Sequence, residues 1–297
     1  MKIDSIGIIG CGTMGSGIAH VAARAGVRTV LVKRTPGDPG AVKKKIEGAL
    51  RKEVEKGKLD LPGCERALQS LEVTADSARV SGCDLVVEAI VEELPAKQAL
   101  FRELEGIVRP DAVLATNTSS LSVVAISEAC ARRERVVGLH FFGPVPAMAL
   151  VEVISIHGTE SPLALSCADF CRRLGKTPVV IGDSAGFIVN RLLVPYLLSA
   201  MSEWEKGLSN PHDIDTAMKL GCAHPMGPFA LSDLIGLDIV LAMAESLLAD
   251  SGEARFEPPA VLRRLVSLGH LGRKSKKGFY DYADPAAPSI NAAARAA

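Results

Sequence analysis

No sign of charge is in excess: lysine plus arginine equal aspartate plus glutamate at 34 each over 297 residues. Without a net field nothing steers the chain onto nucleic acid or an anionic membrane, so any anionic ligand must be met by a local patch. No two cysteines stand as CxxC. The seven are scattered (11, 64, 83, 130, 167, 171, 222) and odd in number, which argues against a disulfide framework or a zinc site and for a reducing compartment, the cytoplasm. No apolar run approaches the ~20 residues of a membrane span, and the first, at 6–9, breaks into glycines too soon for a secretory signal. Proline and glycine show no excess that would signal disorder. At roughly 150 residues per domain, an ordinary globular chain of this length suggests two domains.

What is present organises itself by period. Residues 3–9 read as a buried strand, 10–15 as a glycine turn, 14–25 as a helix that Gly26 ends, and 29–32 as a second strand. This β-α-β unit of about thirty residues is long enough for a parallel pair with a crossover helix, which sets the fold class as α/β. A Lys- and Glu-rich stretch at 41–69 predicts one or two exposed helices, whose charges solvate a face or form a basic lip for a substrate. Apolar runs at 85–90, 112–116, 136–139, 150–156 and 178–181 extend the sheet to about seven or eight strands. After Gly182 the period becomes helical, at 186–206, 211–220, 228–250 and 259–268. The expectation is a dinucleotide-binding domain at 1–183, a helical domain at 184–284, and a flexible tail at 285–297 where no apolar period remains.

Gly10-Cys11-Gly12-Thr13-Met14-Gly15 fits GxGxxG directly after a strand and at the opening of a helix. Gly10 permits the tight turn, Gly12 removes the side chain where a pyrophosphate approaches, and Gly15 allows close helix–strand packing. Unpaired N–H groups of the helix N-terminus then face the phosphates. The accompanying fold is a Rossmann-type doubly wound sheet. At the end of the second strand, where an acidic residue usually reads the adenosine ribose, Lys33-Arg34-Thr35 stands instead. Two cations there either face water or pair with a 2′-phosphate, so both NAD and NADP remain open, with a lean to NADP.

Two strand ends carry the chemistry. Asn117-Thr118-Ser119-Ser120 follows the run at 112–116 and His140 follows that at 136–139, both at the edge where open α/β sheets bind ligands. Glu152 lies inside Leu150-Val151-Glu152-Val153-Ile154, where a carboxylate is costly unless something pairs with it, and His140 is the obvious partner. Such a pair holds the imidazole tautomer and raises its basicity, so that it takes a hydroxyl proton while a hydride leaves the same carbon. The other histidines (20, 157, 212, 224, 270) lack such company and read as structural or surface groups.

With these motifs together, residues 6–282 resemble the L-3-hydroxyacyl-CoA dehydrogenase family, including bacterial 3-hydroxybutyryl-CoA dehydrogenases. The resemblance also rests on Glu88-Ala89-Ile90-Val91-Glu92 with Lys97, Leu139-His140-Phe141-Phe142, Gly186-Phe187-Ile188-Val189-Asn190-Arg191, Pro225-Met226-Gly227-Pro228-Phe229, Gly236-Leu237-Asp238 and Lys277-Gly278-Phe279-Tyr280. It implies a catalytic His140–Glu152 pair, with Ser119 and Asn190 hydrogen-bonding the substrate oxygens. It implies further that Ala89, Glu92, Lys97 and Asn117 belong to the cofactor site, with Thr13 and Met14 of the glycine turn. A cleft between domains, a homodimer through the helical domain, and a CoA tail near Lys56 and Lys58 complete what it implies. Gly143 stands where the family usually has Asn, Ala149 where it has Lys, and Lys33 where it has the acidic ribose reader. The expected activity is reversible oxidation of a short (S)-3-hydroxyacyl-CoA to 3-oxoacyl-CoA. The alternative is a specialised biosynthetic dehydrogenase for a polar or branched hydroxyacyl thioester, including one tethered to an acyl carrier protein. A Rossmann scaffold kept only for binding is opposed by the joint presence of Ser119, His140, Glu152 and Asn190.

Overall fold

The computed structural model describes residues 1–284 and 287–295. The chain divides into two compact units, Met1–Phe187 and Ile188–Ala297.

In the first unit the strands are β1 (Ser5–Ile9), β2 (Arg28–Val32), β3 (Leu71–Thr74), β4 (Leu85–Glu88), β5 (Val113–Thr116), β6 (Val136–Phe141), β7 (Leu150–Ser155) and β8 (Thr177–Gly182). They form one sheet in the order β3-β2-β1-β4-β5-β6-β7-β8. The chain starts near the middle and winds outward in both directions. Helices α1 (Thr13–Arg24), α2 (Pro39–Glu55), α3 (Leu61–Ser70), α4 (Leu94–Ile107), α5 (Val123–Ser127) and α6 (Pro162–Arg173) connect the strands. Alternate side chains feed two cores. Ile6, Ile8, Leu31, Val87 and Leu139 pack on one face, and Ile9, Val30, Val86, Leu114 and Val136 on the other. Burial on both faces explains why the strands read as nearly continuous apolar runs.

Every neighbouring pair is parallel except β6 with β7, which is antiparallel and sets His140 opposite Glu152. The strand expected to stop at Leu139 runs on through Phe141, because pairing with β7 holds it extended. His140 therefore lies within the strand rather than after it. Strand β3 was hidden in the sequence: of its four residues only Leu71 is buried.

The second unit is built from α7 (Val189–Glu205), α8 (Pro211–Gly221), α9 (Pro228–Ile235), α10 (Leu237–Ser251) and α11 (Ala260–Ser267). The helical period at 228–250 is broken by Gly236, whose φ of 108° belongs to glycine. Two short antiparallel strands, β9 (Tyr280–Asp281) and β10 (Ser289–Ile290), and a final turn of helix, α12 (Ala292–Arg295), complete it. Within the stretch expected to be a flexible tail, residues 285, 286, 296 and 297 lie outside the described residues. The rest of that stretch is hydrogen-bonded to the chain before it. Asn291 is buried, and its amide donates to the Gly278 carbonyl at 2.7 Å. Arg264 donates to the Ala294 carbonyl at 2.8 Å. Polar ties replace the apolar period that the composition lacks. Among the described residues no helix is long and apolar enough to cross a membrane.

Candidate active site

The glycine turn joins β1 to α1. Gly10, at φ 110°, is held by its N–H to the Val32 carbonyl at 2.9 Å, and a Cβ there would lie 2.4 Å from the Ala89 carbonyl oxygen. A Cβ on Gly15 would lie 1.8 Å from the Gly10 oxygen, whereas one on Gly12 would meet no atom within 4 Å. Two of the glycines thus close the packing and the third leaves open space. Gly12 caps α1 with no side-chain hydrogen bond, leaving the first-turn N–H groups around Thr13 and Met14 without a side-chain cap. This bare helix N-terminus beside a cleared position fits a dinucleotide pyrophosphate.

Lys33 and Arg34 follow β2, but neither presents an idle charge. The Lys33 ammonium donates to the Thr35 carbonyl at 2.6 Å, to the Thr35 hydroxyl at 2.9 Å and to the Pro36 carbonyl. Arg34 pairs with Glu103 of α4 at 2.5 Å.

The carboxyl ends of β4 and β5 meet in a charged cluster. Lys97, almost wholly buried on α4, lies 2.6 Å from Glu88 and 3.2 Å from Glu92. Glu92 Oε1 accepts from the Thr118 hydroxyl and the Ser119 N–H, both at 2.7 Å, and from the Ser119 hydroxyl at 3.2 Å. Burial pushes the Glu92 carboxyl up, but Lys97 and the Thr118 and Ser119 donors outweigh it and hold the group below the usual range. Asn117 bridges to the next strand: its side-chain oxygen accepts the Phe141 N–H at 2.9 Å, beside His140.

His140 and Glu152 meet across the antiparallel pair, Nδ1 to Oε2 at 2.8 Å, both buried. An ionised carboxylate only accepts, so Nδ1 is the donor of this pair and Nε2 is the ring nitrogen left for other contacts. Phe142 lies 4.4 Å from the imidazole between ring centres and Phe187 lies 5.5 Å away, giving His140 an aromatic collar. Asn190 is the second residue of α7 and is buried.

Sequence reasoning passed over three groups here. Glu88 occupies the end of an apolar strand just as Glu152 occupies another, and Lys97 stands nine residues on, so the signal was present. Thr116 donates to Glu88 at 2.8 Å. Lys176 is buried and donates to the carbonyls of Val145 at 2.5 Å and Met148 at 2.8 Å, bracing the loop after Phe142. Burial lowers its ammonium's pKa.

Against known proteins, residues 5–184 match the model of the 3-hydroxyacyl-CoA dehydrogenase NAD-binding domain, and residues 186–282 that of the C-terminal domain. A 3-hydroxybutyryl-CoA dehydrogenase of Mycobacterium tuberculosis is 42% identical over 282 residues, 94% of this chain and 99% of that one. The mitochondrial hydroxyacyl-coenzyme A dehydrogenase of Sus scrofa is 43% identical over 287 residues, covering 94% and 91%. The crystal structure of (S)-3-hydroxybutyryl-CoA dehydrogenase PaaH1 from Ralstonia eutropha superposes with a TM-score of 0.91 at 36% identity, covering 95% of this chain and 100% of that one.

Proposed function

The chain belongs to the 3-hydroxyacyl-CoA dehydrogenase family and is an NAD-dependent oxidoreductase interconverting 3-hydroxyacyl-CoA and 3-oxoacyl-CoA; from that premise we propose that His140 and Glu152 move the proton of this reaction on a short (S)-3-hydroxyacyl group. The observation that carries the proposal is the buried 2.8 Å contact between Nδ1 and the carboxylate. It leaves Nε2 to take the hydroxyl proton in oxidation and to return it in reduction. Glu152 holds the tautomer and offsets the imidazolium charge, and the aromatic collar keeps water from the ring. When bound, the nicotinamide supplies the hydride acceptor or donor at the substrate's third carbon. Ser119 and Asn190 are assigned to the substrate oxygens. Gly10, Gly12, Thr13, Met14 and Gly15 are assigned to the pyrophosphate, and Ala89, Glu92, Lys97 and Asn117 to the nicotinamide half.

Lys33 and Arg34 stand on the adenosine side, yet their charges are engaged by the 35–36 turn and by Glu103. NADPH is therefore accepted without being strongly selected. A cavity of about 440 Å³ opens on the glycine turn, lined by Gly12, Thr13, Ser16, His20, Lys45 and Pro146, and takes the pyrophosphate. The thioester tail is read as CoA rather than a carrier protein and is assigned to the exposed Lys56 and Lys58 after α2. At Gly143 a Cβ would meet only Met14 Sδ, at 3.5 Å. That room favours a second reading of the acyl group, one that carries a branch or a polar substituent. A homodimer through the second unit and a cytoplasmic location complete the proposal, the latter supported by seven cysteines of which none is bridged.

Consumption of NADH and of NADPH with acetoacetyl-CoA, in parallel, tests the proposal. Rapid oxidation with a ratio near one is the expected result. Binding of both cofactors without turnover on acetoacetyl-CoA, but with turnover on a branched thioester, would move the reading to the second acyl group. No turnover on any thioester would remove it.

A further inference from the structure

Glu88 ends β4 with no exposed surface, and each of its oxygens is committed. Oε1 accepts the Ile90 N–H at 2.7 Å and the Lys97 ammonium at 2.6 Å, while Oε2 accepts the Thr116 hydroxyl at 2.8 Å. Two arms leave this carboxylate and converge on one loop. The neutral arm runs through Thr116, whose hydroxyl oxygen accepts the Thr118 N–H at 3.2 Å. The charged arm runs through Lys97 to Glu92, which gathers the Thr118 hydroxyl and the Ser119 N–H. The Ile90 N–H ties the same carboxylate to the backbone beside Ala89, whose carbonyl Gly10 approaches so closely that no Cβ fits between them.

We propose that Glu88 is a positioning residue of the dehydrogenase, setting the spacing between the cofactor turn and the 117–120 loop by holding Lys97 and Thr116 at once. The inference rests on the assignment of Ser119 to substrate and of Glu92 and Lys97 to cofactor. Lys97 sits in the fold's interior between two carboxylates, and removing one partner from a buried ionic cluster leaves the others unbalanced and free to shift. In Glu88→Gln an amide oxygen kept on Thr116 turns the NH2 towards the Lys97 ammonium and the Ile90 N–H, so the substitution spares the neutral arm and cuts the charged arm together with the Ile90 tie.

The test compares wild type, Glu88→Gln, Lys97→Met and the double variant by NADH titration and by kcat and KM on acetoacetyl-CoA. Glu88→Gln is expected to weaken NADH binding and lower kcat by about tenfold each, the double variant being no worse than Lys97→Met alone, because contacts in one network are not additive. A merely structural Glu88 would lower the unfolding temperature and leave Kd and KM of the folded protein unchanged. That result, or effects that multiply in the double variant, overturns the proposal. Should Glu88→Gln not fold, Thr116→Val cuts the neutral arm. It is expected to raise KM for acetoacetyl-CoA about three- to tenfold with NADH affinity unchanged, an amount in keeping with one hydrogen bond, and an unaltered KM overturns the proposal. NADH titration reads the Glu88–Lys97 coupling without turnover. A wild type that binds NADH but ignores the thioester would therefore sink the substrate reading and leave this one decided on its own.

Discussion

Replacing Glu152 by glutamine keeps the side chain's shape and removes its charge, so the imidazole opposite loses both its fixed tautomer and its counterion. Glu152→Gln is expected to lower kcat by about 10²–10⁴-fold, the range for disabling a general base, with NADH affinity unchanged. Steady-state kinetics with a parallel NADH titration checks it, and wild-type kcat in the variant would contradict it. The pair was legible because a carboxylate in an apolar strand is costly and demands a partner. The same logic applied to Glu88 and went unused, since its partner Lys97 sits in a helix whose burial no local pattern reveals. Lys33 and Arg34 were the reverse case. Their charges are evident in the sequence, but their partners are carbonyls of a loop turning back and Glu103, a residue 69 positions away.

The strand-turn-helix element makes opposite demands on its glycines. Gly15→Ala places a methyl against the Gly10 carbonyl, backbone that has nowhere to go, so stability falls by about 1–3 kcal/mol or more. Gly12→Ala meets nothing within 4 Å, so its cost is only that of a poorer N-cap on α1, about 0.5–1 kcal/mol. NADH affinity is expected to drop there, because the new methyl stands where the pyrophosphate belongs. Urea unfolding and NADH titration of both variants separate the two effects; a Gly12→Ala protein with full NADH affinity would remove the pyrophosphate from this turn. Elements with strong period were legible in the sequence, namely β1 to β2 through α1 and the long helices of the second unit. Those missed depend on partners. Strand β3 exists by pairing with β2 although most of it is only half-buried, the last two residues of β6 are held by β7, and β10 with Asn291 is tied to the chain near Gly278.

For the molecule as a whole, balanced charge leaves pH sensitivity to individual buried groups. In the second unit Asp233 accepts the Phe279 and Tyr280 N–H groups at 2.8 and 2.9 Å and the Tyr282 hydroxyl at 3.0 Å. Burial nevertheless pushes its carboxyl up from 3.8 to about 6. A raised folded-state value means that the folded protein holds this proton more tightly. The stabilisation is complete below the unfolded value and is lost as pH rises through the folded one. The stability advantage of wild type over Asp233→Asn is therefore expected to shrink between pH 4 and pH 7 by an amount on the order of 3 kcal/mol, measured by denaturant unfolding at each pH. An advantage that stays constant or grows would refute it. The central claim, that His140 moves the proton of a thioester dehydrogenase, is tested most directly by His140→Gln: acetoacetyl-CoA reduction by this variant, measured beside its NADH affinity. Turnover is expected to fall by about 10²–10⁴-fold with NADH bound as in wild type; undiminished turnover would remove His140 from the proton transfer.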